Sequence, residues 1–201
     1  MIAANGHDVH LWMRDEISAQ RVESERVNDR YLSGYRLQPN LRISSCLTSC
    51  LNDADTVFFS VPSGALKRLA ERVSPVLKTG AVVISTSKGI CGDDFLLPSQ
   101  LLQKILPQAS VGVISGPNLA KEIANYEITA TVVASEDAEV CQHIQRLLAS
   151  DYFRVYANRD RFGVELAGAL KNIYAIVSGI AEAMGVGPVS YTHLTLPTIY
   201  S

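Results

Sequence analysis

An α/β architecture, with a parallel sheet covered by helices on both faces, is predicted by two recurring patterns. Short β-branched or aromatic runs recur along the chain, each closed by Gly, Pro, Ser or Asn. Amphipathic stretches with helical spacing fill the intervals between them. Continuous apolar runs suit strands buried on both faces. Their alternation with helices is what parallel crossovers require, so the fold class is doubly wound. A third observation bounds the sheet: after Asn158 the strand signal stops and one long apolar helix takes over.

The strands come in order. Val9–Met13 is the first, followed by Leu41–Ile43, Thr56–Val61 and Ala81–Ser85. Val111–Ile114, Ile128–Val133 and Phe153–Tyr156 complete the set. Residues 64–77 place Leu66, Leu69, Ala70, Val73, Val76 and Leu77 on one helical face. Residues 137–149 do the same with Val140, Ile144, Leu147 and Leu148, and Asp137 is a helix-start residue. From Asp160 to Met184 the chain reads as one helix. Phe162, Val164, Leu166, Leu170, Ile173, Ile176, Val177 and Ile180 lie almost all round it, so it expects burial by other helices. The residues that follow do not supply them. Residues 188–201 contain no Lys, Arg, Asp or Glu, and Pro188 stops the helical pattern. This string resembles a recurrent translated sequencing-adapter read and is expected to be a non-native tail. The expected organisation is therefore 1–158 for the sheet domain, 159–187 for the first helix of a helical domain, and 188–201 for the tail.

Composition narrows the function. In 201 residues, 47% are apolar and 19% charged, enough for a sizeable core. Eighteen basic residues against twenty acidic give a net charge of −2, which argues against nucleic-acid and membrane-surface partners. No apolar run approaches the roughly 20 residues that cross a bilayer. The start, Met1 to His7, has no signal-peptide pattern. Cys46, Cys50, Cys91 and Cys141 are scattered and read as reduced thiols of a cytoplasmic protein. No two histidines stand at ligand spacing with Cys, Asp or Glu, so no metal site is expected.

Ligands of a doubly wound sheet bind beyond the carboxyl ends of its strands. Three such ends are rich in small residues: Pro62-Ser63-Gly64, Thr86-Ser87-Lys88-Gly89 and Ser115-Gly116-Pro117-Asn118. Glycines admit close backbone approach, the helix after Pro117 offers amides to an anion, and Lys88 can neutralise a phosphate or carboxylate. Lys171 stands inside the apolar helix with Val164, Ala167, Gly168, Tyr174, Ala175 and Ser178 on its side. A desolvated lysine there would serve as a general base. A lysine snorkelling from a helix edge fits the spacing equally well, and spacing leaves the two readings open. At the other end, Arg14 and Asp15 follow the first strand. An acid at this place suits a ribose 2′-hydroxyl and an arginine a 2′-phosphate, with a lean toward NADP. No G-x-G-x-x-G stands upstream.

The segments NGHDVHLWMR, FFSVPSGALK, ISTSKGI, VISGPNLAKEIA, FRVYAN and GVELAGALKNIYAI, in that order from residue 5 to about 187, resemble the bacterial NAD(P)-dependent glycerol-3-phosphate dehydrogenase family. The resemblance implies a Rossmann-type domain followed by an all-helical one. It also implies NAD or NADP as cofactor, and interconversion of sn-glycerol 3-phosphate and dihydroxyacetone phosphate for glycerophospholipid synthesis. Matched residue by residue, Lys171 falls on the family's general acid/base lysine and Lys88 on the lysine touching cofactor and substrate. Gly116 and Asn118 fall on the substrate loop, with Asn118 in place of a more usual Ser or Thr. Ala120 falls on a cofactor contact, and Arg14 on the adenosine-ribose or 2′-phosphate position. A small-molecule substrate and, at full length, a homodimer are implied.

The same match implies that the Gly-rich first strand, the catalytic aspartate and an Arg-Asn phosphate grip lie outside these residues. A missing first strand would leave two unpaired inner edges in the sheet. The expectation is a fragment that is poorly stable and inactive by itself. Two alternatives remain: a related dehydrogenase acting on 3-hydroxy acids, and a non-catalytic nucleotide-binding remnant.

Overall fold

The computed structural model describes residues 1–92 and 94–187, so the expected tail at 188–201 lies outside the described residues. Every strand that the apolar runs predict is present. The strands are β1 (Val9–Trp12), β2 (Val27–Asn28), β3 (Leu32–Arg36), β4 (Leu41–Ser44), β5 (Thr56–Phe59), β6 (Val82–Ser85), β7 (Ser110–Ser115), β8 (Thr129–Ala134) and β9 (Phe153–Asn158). The helices are α1 (Glu16–Glu25), α2 (Leu47–Leu51), α3 (Ser63–Val73), α4 (Pro98–Ile105), α5 (Ala120–Ala124), α6 (Ala138–Leu148) and α7 (Arg161–Ala183). A single 3-10 turn, Ser74–Val76, extends α3.

Five strands form one sheet in the order β5-β6-β7-β8-β9, while β1 and β4 pair parallel in a sheet of their own. Between the free edges of β1 and β5 runs a cleft of about 1370 Å³, lined by Val9, Leu11 and Trp12 on one side and Thr56, Phe58 and Ser60 on the other. This is the break with two unpaired inner edges that the sequence predicts. The core is divided to match. Leu66, Ala70, Val73, Leu102 and Leu106 pack on one face of the five-stranded sheet. Ile84, Val133, Val140, Ile144 and Phe153 fill the other face. Beside β4, among the described residues, Ala19, Val22 and Ile43 form a smaller buried cluster.

The sheet is not parallel throughout. β7 pairs antiparallel with β8, whereas β5-β6, β6-β7 and β8-β9 are parallel. A parallel return needs a crossover of a dozen or more residues with a real helix. Between Ser115 and Thr129 the chain forms only the five-residue α5 and re-enters at the end it left. The reversal has a consequence. β9 ends at the opposite edge of the sheet, so α7 starts beside the beginning of β7, where the Arg161 guanidinium donates to the Val111 carbonyl at 3.3 Å. α7 then runs along β7 toward its carboxyl end.

Asp137 caps α6 through Glu139 N at 2.9 Å, and Asp160 caps α7 through Gly163 N at 2.7 Å, so both predicted helix starts hold. Among the described residues, α7 is a helix long and apolar enough, by length and composition, to cross a membrane. The expectation that no apolar stretch reaches that length is corrected here, because this helix carries its apolar residues on past isolated charged ones. Its first half lies on the sheet, while Phe162, Ile173, Ile176 and Ile180 are more than half exposed.

Candidate active site

The carboxyl ends of β5 and β6 are tied to one another by hydrogen bonds from backbone and small hydroxyl side chains. The Thr86 amide donates to the Phe59 carbonyl at 3.0 Å, and Ser60 and Thr86 hydroxyls meet at 2.7 Å. The Ser87 hydroxyl donates to the Val61 carbonyl at 2.6 Å. Gly89 turns the chain at φ +114°, where a Cβ would stand 3.3 Å from Ser63 Oγ. Lys88 leaves this knot pointing outward and is exposed. Small hydroxyl residues hold the two loops down, so the lysine beside them is free to reach a ligand.

The loop after β7 is tighter still. A Cβ on Gly116 would fall 2.8 Å from Thr131 Oγ1 and 3.0 Å from Thr131 Cα, so only glycine fits against β8. Asn118, predicted as a substrate contact, uses both ends of its amide internally. Its Nδ2 donates to the Ala130 carbonyl at 3.0 Å, and its Oδ1 accepts from Thr131 Oγ1 at 2.9 Å. The side chain thereby fixes the shape of the loop. Ala120 opens α5 and is exposed.

α7 reaches this end of the sheet through Gly168, whose Cβ would stand 2.6 Å from Ser115 Oγ. Lys171 follows one turn later on the same face. It is exposed, so the desolvated setting considered for it is not present; nothing among the described residues covers the outer face of α7 there. Neither Lys88 nor Lys171 is within ion-pair distance of a carboxylate among the described residues. Ser85, Ser87, Lys88, Ser115 and Gly168 line one small cavity, together with Glu165, which the sequence reading did not single out. Glu165 is 5% exposed, and burial pushes its carboxyl above the usual carboxylate range, against the pull of Ser99 and Arg161. Its only sequence signal is an acid within the otherwise apolar stretch Val164-Glu165-Leu166.

Arg14 stands apart from this cluster, exposed after β1. Its neighbour Asp15 is occupied: it caps α1 by accepting from Ser18 N at 2.8 Å, and the bonds from Ser18 hold its carboxyl below the ordinary value. The residues present fit an anionic dinucleotide: an exposed arginine after β1 and an unpaired lysine after β6 stand at the carboxyl ends of strands on either side of the cleft.

These features define a Rossmann-type dinucleotide-binding protein with a helix bearing a lysine docked at the carboxyl end of its sheet. Sequence profiles narrow that class. The profile for the NAD-dependent glycerol-3-phosphate dehydrogenase N-terminus matches residues 1–141, and that for the C-terminus matches residues 160–195. The chain belongs to this family, which uses NAD or NADP. It is 54% identical over 187 residues to the glycerol-3-phosphate dehydrogenase (NAD(P)+) of Teredinibacter turnerae, covering 93% of this chain and 55% of the relative. With the enzyme of the same name from Pseudomonas fluorescens the identity is 49%, covering 93% and 54%. The crystal structure of glycerol-3-phosphate dehydrogenase from Coxiella burnetii superposes with a TM-score of 0.87 at 31% identity, covering 96% of this chain and 59% of that one. The chain spans about half the length of the curated relatives it matches.

Proposed function

We propose that the protein interconverts sn-glycerol 3-phosphate and dihydroxyacetone phosphate with NAD(P), and that the reaction takes place at the carboxyl ends of β6 and β7. The observation that carries this reading is convergence. The Lys88 loop, the glycine-only turn at Gly116 and the docked segment of α7 before Lys171 meet at one end of the sheet. The bound nicotinamide supplies the hydride acceptor or donor. In the oxidising direction, the C2–H bond breaks with its electron pair leaving as hydride. The Lys171 amine takes the hydroxyl proton as general base, and the C2–O bond becomes a carbonyl. Lys88 stabilises negative charge on that oxygen and draws the phosphate-bearing substrate into place. Gly116 lets the loop backbone approach the substrate, and Asn118 holds the loop in that shape. Ala120, small and exposed, leaves room for the cofactor beside the loop.

Residues 1–158 then form the cofactor domain, and 159–187 open a helical substrate domain whose further helices would cover the exposed face of α7 and desolvate Lys171. None of the four cysteines is paired, which supports a cytoplasmic setting. With Asp15 engaged as a cap, Arg14 is the residue left to meet the adenosine ribose, which favours a 2′-phosphate and hence NADPH.

The test is steady-state reduction of dihydroxyacetone phosphate by the purified full gene product, with NADPH and NADH compared. We expect turnover with both and a lower KM for NADPH; Arg14→Ala raises that KM about tenfold, the loss of one charge-assisted contact, and leaves the NADH value in place. No oxidation of either cofactor would overturn the reading.

A further inference from the structure

We propose that Glu165 is a positioning residue that sets the placement of Lys171 by locking α7 onto the first turn of α4. The inference rests on the proposed role of Lys171, and its observations are independent of that role.

The first turn of any helix leaves amide donors without intrahelical partners. At α4 the N-cap residue is Leu97, whose side chain has no acceptor, and Gln100 turns back only to the Leu97 amide, at 2.9 Å. The donor at Ser99 is satisfied from a different element: Ser99 N donates to Glu165 Oε1 at 3.0 Å. The Ser99 hydroxyl donates to Glu165 Oε2 at 2.5 Å. Ser99 and Glu165 are 1% and 5% exposed, so water does not compete. A carboxylate at a helix N-terminus also meets the favourable end of the helix dipole. Burying a carboxylate is unfavourable unless its oxygens are bonded, so this one holds α7 where both Ser99 donors can reach it. The contact fixes both the height of α7 along β7 and its rotation about its own axis.

Lys171 lies about 9 Å further along the same axis at helical rise. Between the two, Gly168 allows the backbone of α7 to sit against Ser115. Beyond Lys171 the helix is exposed on most of its surface, so its fastening to the sheet domain is concentrated before the lysine, at Arg161, Glu165 and Gly168. Arg161 holds the start of the helix; Glu165 is the fastening with two directed bonds nearest the base.

The experiment compares wild type with Glu165→Gln, Glu165→Asp and Ser99→Ala in the full gene product, using glycerol 3-phosphate and its C2-deuterated form. Gln presents an NH₂ group to one of the two Ser99 donors; Asp keeps the charge on a side chain one methylene shorter. We expect kcat for Glu165→Gln to fall about tenfold to a hundredfold, the range for a base displaced by about 1 Å. The primary deuterium isotope effect should rise, because hydride transfer becomes rate-limiting, while KM for the cofactor is unchanged. Ser99→Ala, which keeps the amide donor, should fall less, and Glu165→Asp should lie between the two. Simple loss of folded protein would lower the rate without altering the isotope effect. Wild-type kcat and isotope effect in Glu165→Gln would overturn the proposal. If wild type itself fails to turn over glycerol 3-phosphate, the catalytic reading is what fails. The lock is then judged by hydrogen exchange of amides 166–172: loss of protection in Glu165→Gln supports it, and unchanged protection overturns it.

Discussion

Gly116 shows how much of the site is decided at single atoms. Thr131 Oγ1 and Cα stand where a Cβ would go, at 2.8 and 3.0 Å, and neither a strand backbone nor a β-branched residue yields cheaply. Gly116→Ala should therefore lower stability by about 1–3 kcal/mol, measured by urea unfolding, and raise KM for substrate as the loop shifts. Glu165 gives a pH signature. Burial raises its folded pKa above the unfolded value of about 4.3, so the folded state holds the proton more tightly. Its contribution to stability is fully present below that unfolded value and is lost as pH rises through the folded one. Arg161 on its own helix, Lys88 in the cavity lining and the buried Cys91 thiol are the charged or titratable groups near it. Across that window, stability of wild type relative to Glu165→Gln should fall as pH rises; a relative increase in urea titrations would contradict the assignment. Lys88 and Lys171 stand out in the sequence because each sits in a distinctive motif, and the structure brings the Lys88 loop and the segment of α7 before Lys171 to one end of the sheet. Glu165 does not stand out, since a glutamate on a helix ordinarily faces water. Asn118 stands out in its loop motif, but sequence could not show that both ends of its amide are taken by β8. Trp12, inside the apolar run of β1, is only partly buried. Its indole donates to the Ser45 carbonyl at 2.9 Å and lies under the Arg72 guanidinium at 5.5 Å, facing the cleft.

At the scale of elements, hydrophobic runs marked all the strands of the main sheet because each is buried on at least one face. The runs carry no direction, so the antiparallel step from β7 to β8 was invisible. Only the shortness of α5, with five residues, hinted at it. The hairpin of β2 and β3 was also missed, because a two-residue strand has no period to read. It is tied down instead by Arg26, at φ 58°, whose guanidinium donates to the carbonyls of Gln38 and Leu41. The reversal at β8 is what lets α7 start at the beginning of β7 and deliver Lys171 to its end. That delivery depends on a sound helix start. Asp160→Ala removes the acceptor bonded to Gly163 N and should cost about 1 kcal/mol, read from thermal unfolding followed at the helical signal.

For the whole molecule, the two sheets differ in how much core they own. The five-stranded sheet has buried clusters on both faces, whereas the β1–β4 unit keeps three buried residues of its own and faces the cleft with a free edge. Local unfolding should follow that division. In native-state hydrogen exchange, amides of residues 9–44 should exchange well before those of β6 and β7; uniform protection would show that the cleft is closed in solution. This break was legible from the order of strands in a doubly wound sheet. The exposure of Lys171 was not, since spacing alone left a desolvated lysine and one at a helix edge equally open. The most direct measurement of the central claim is single-turnover reduction of dihydroxyacetone phosphate by Lys171→Ala beside wild type, with cofactor binding followed by nicotinamide fluorescence. Loss of the general acid/base should slow hydride transfer about 10²–10⁴-fold with cofactor affinity intact. A variant that transfers hydride at the wild-type rate would contradict the claim that α7 carries the base.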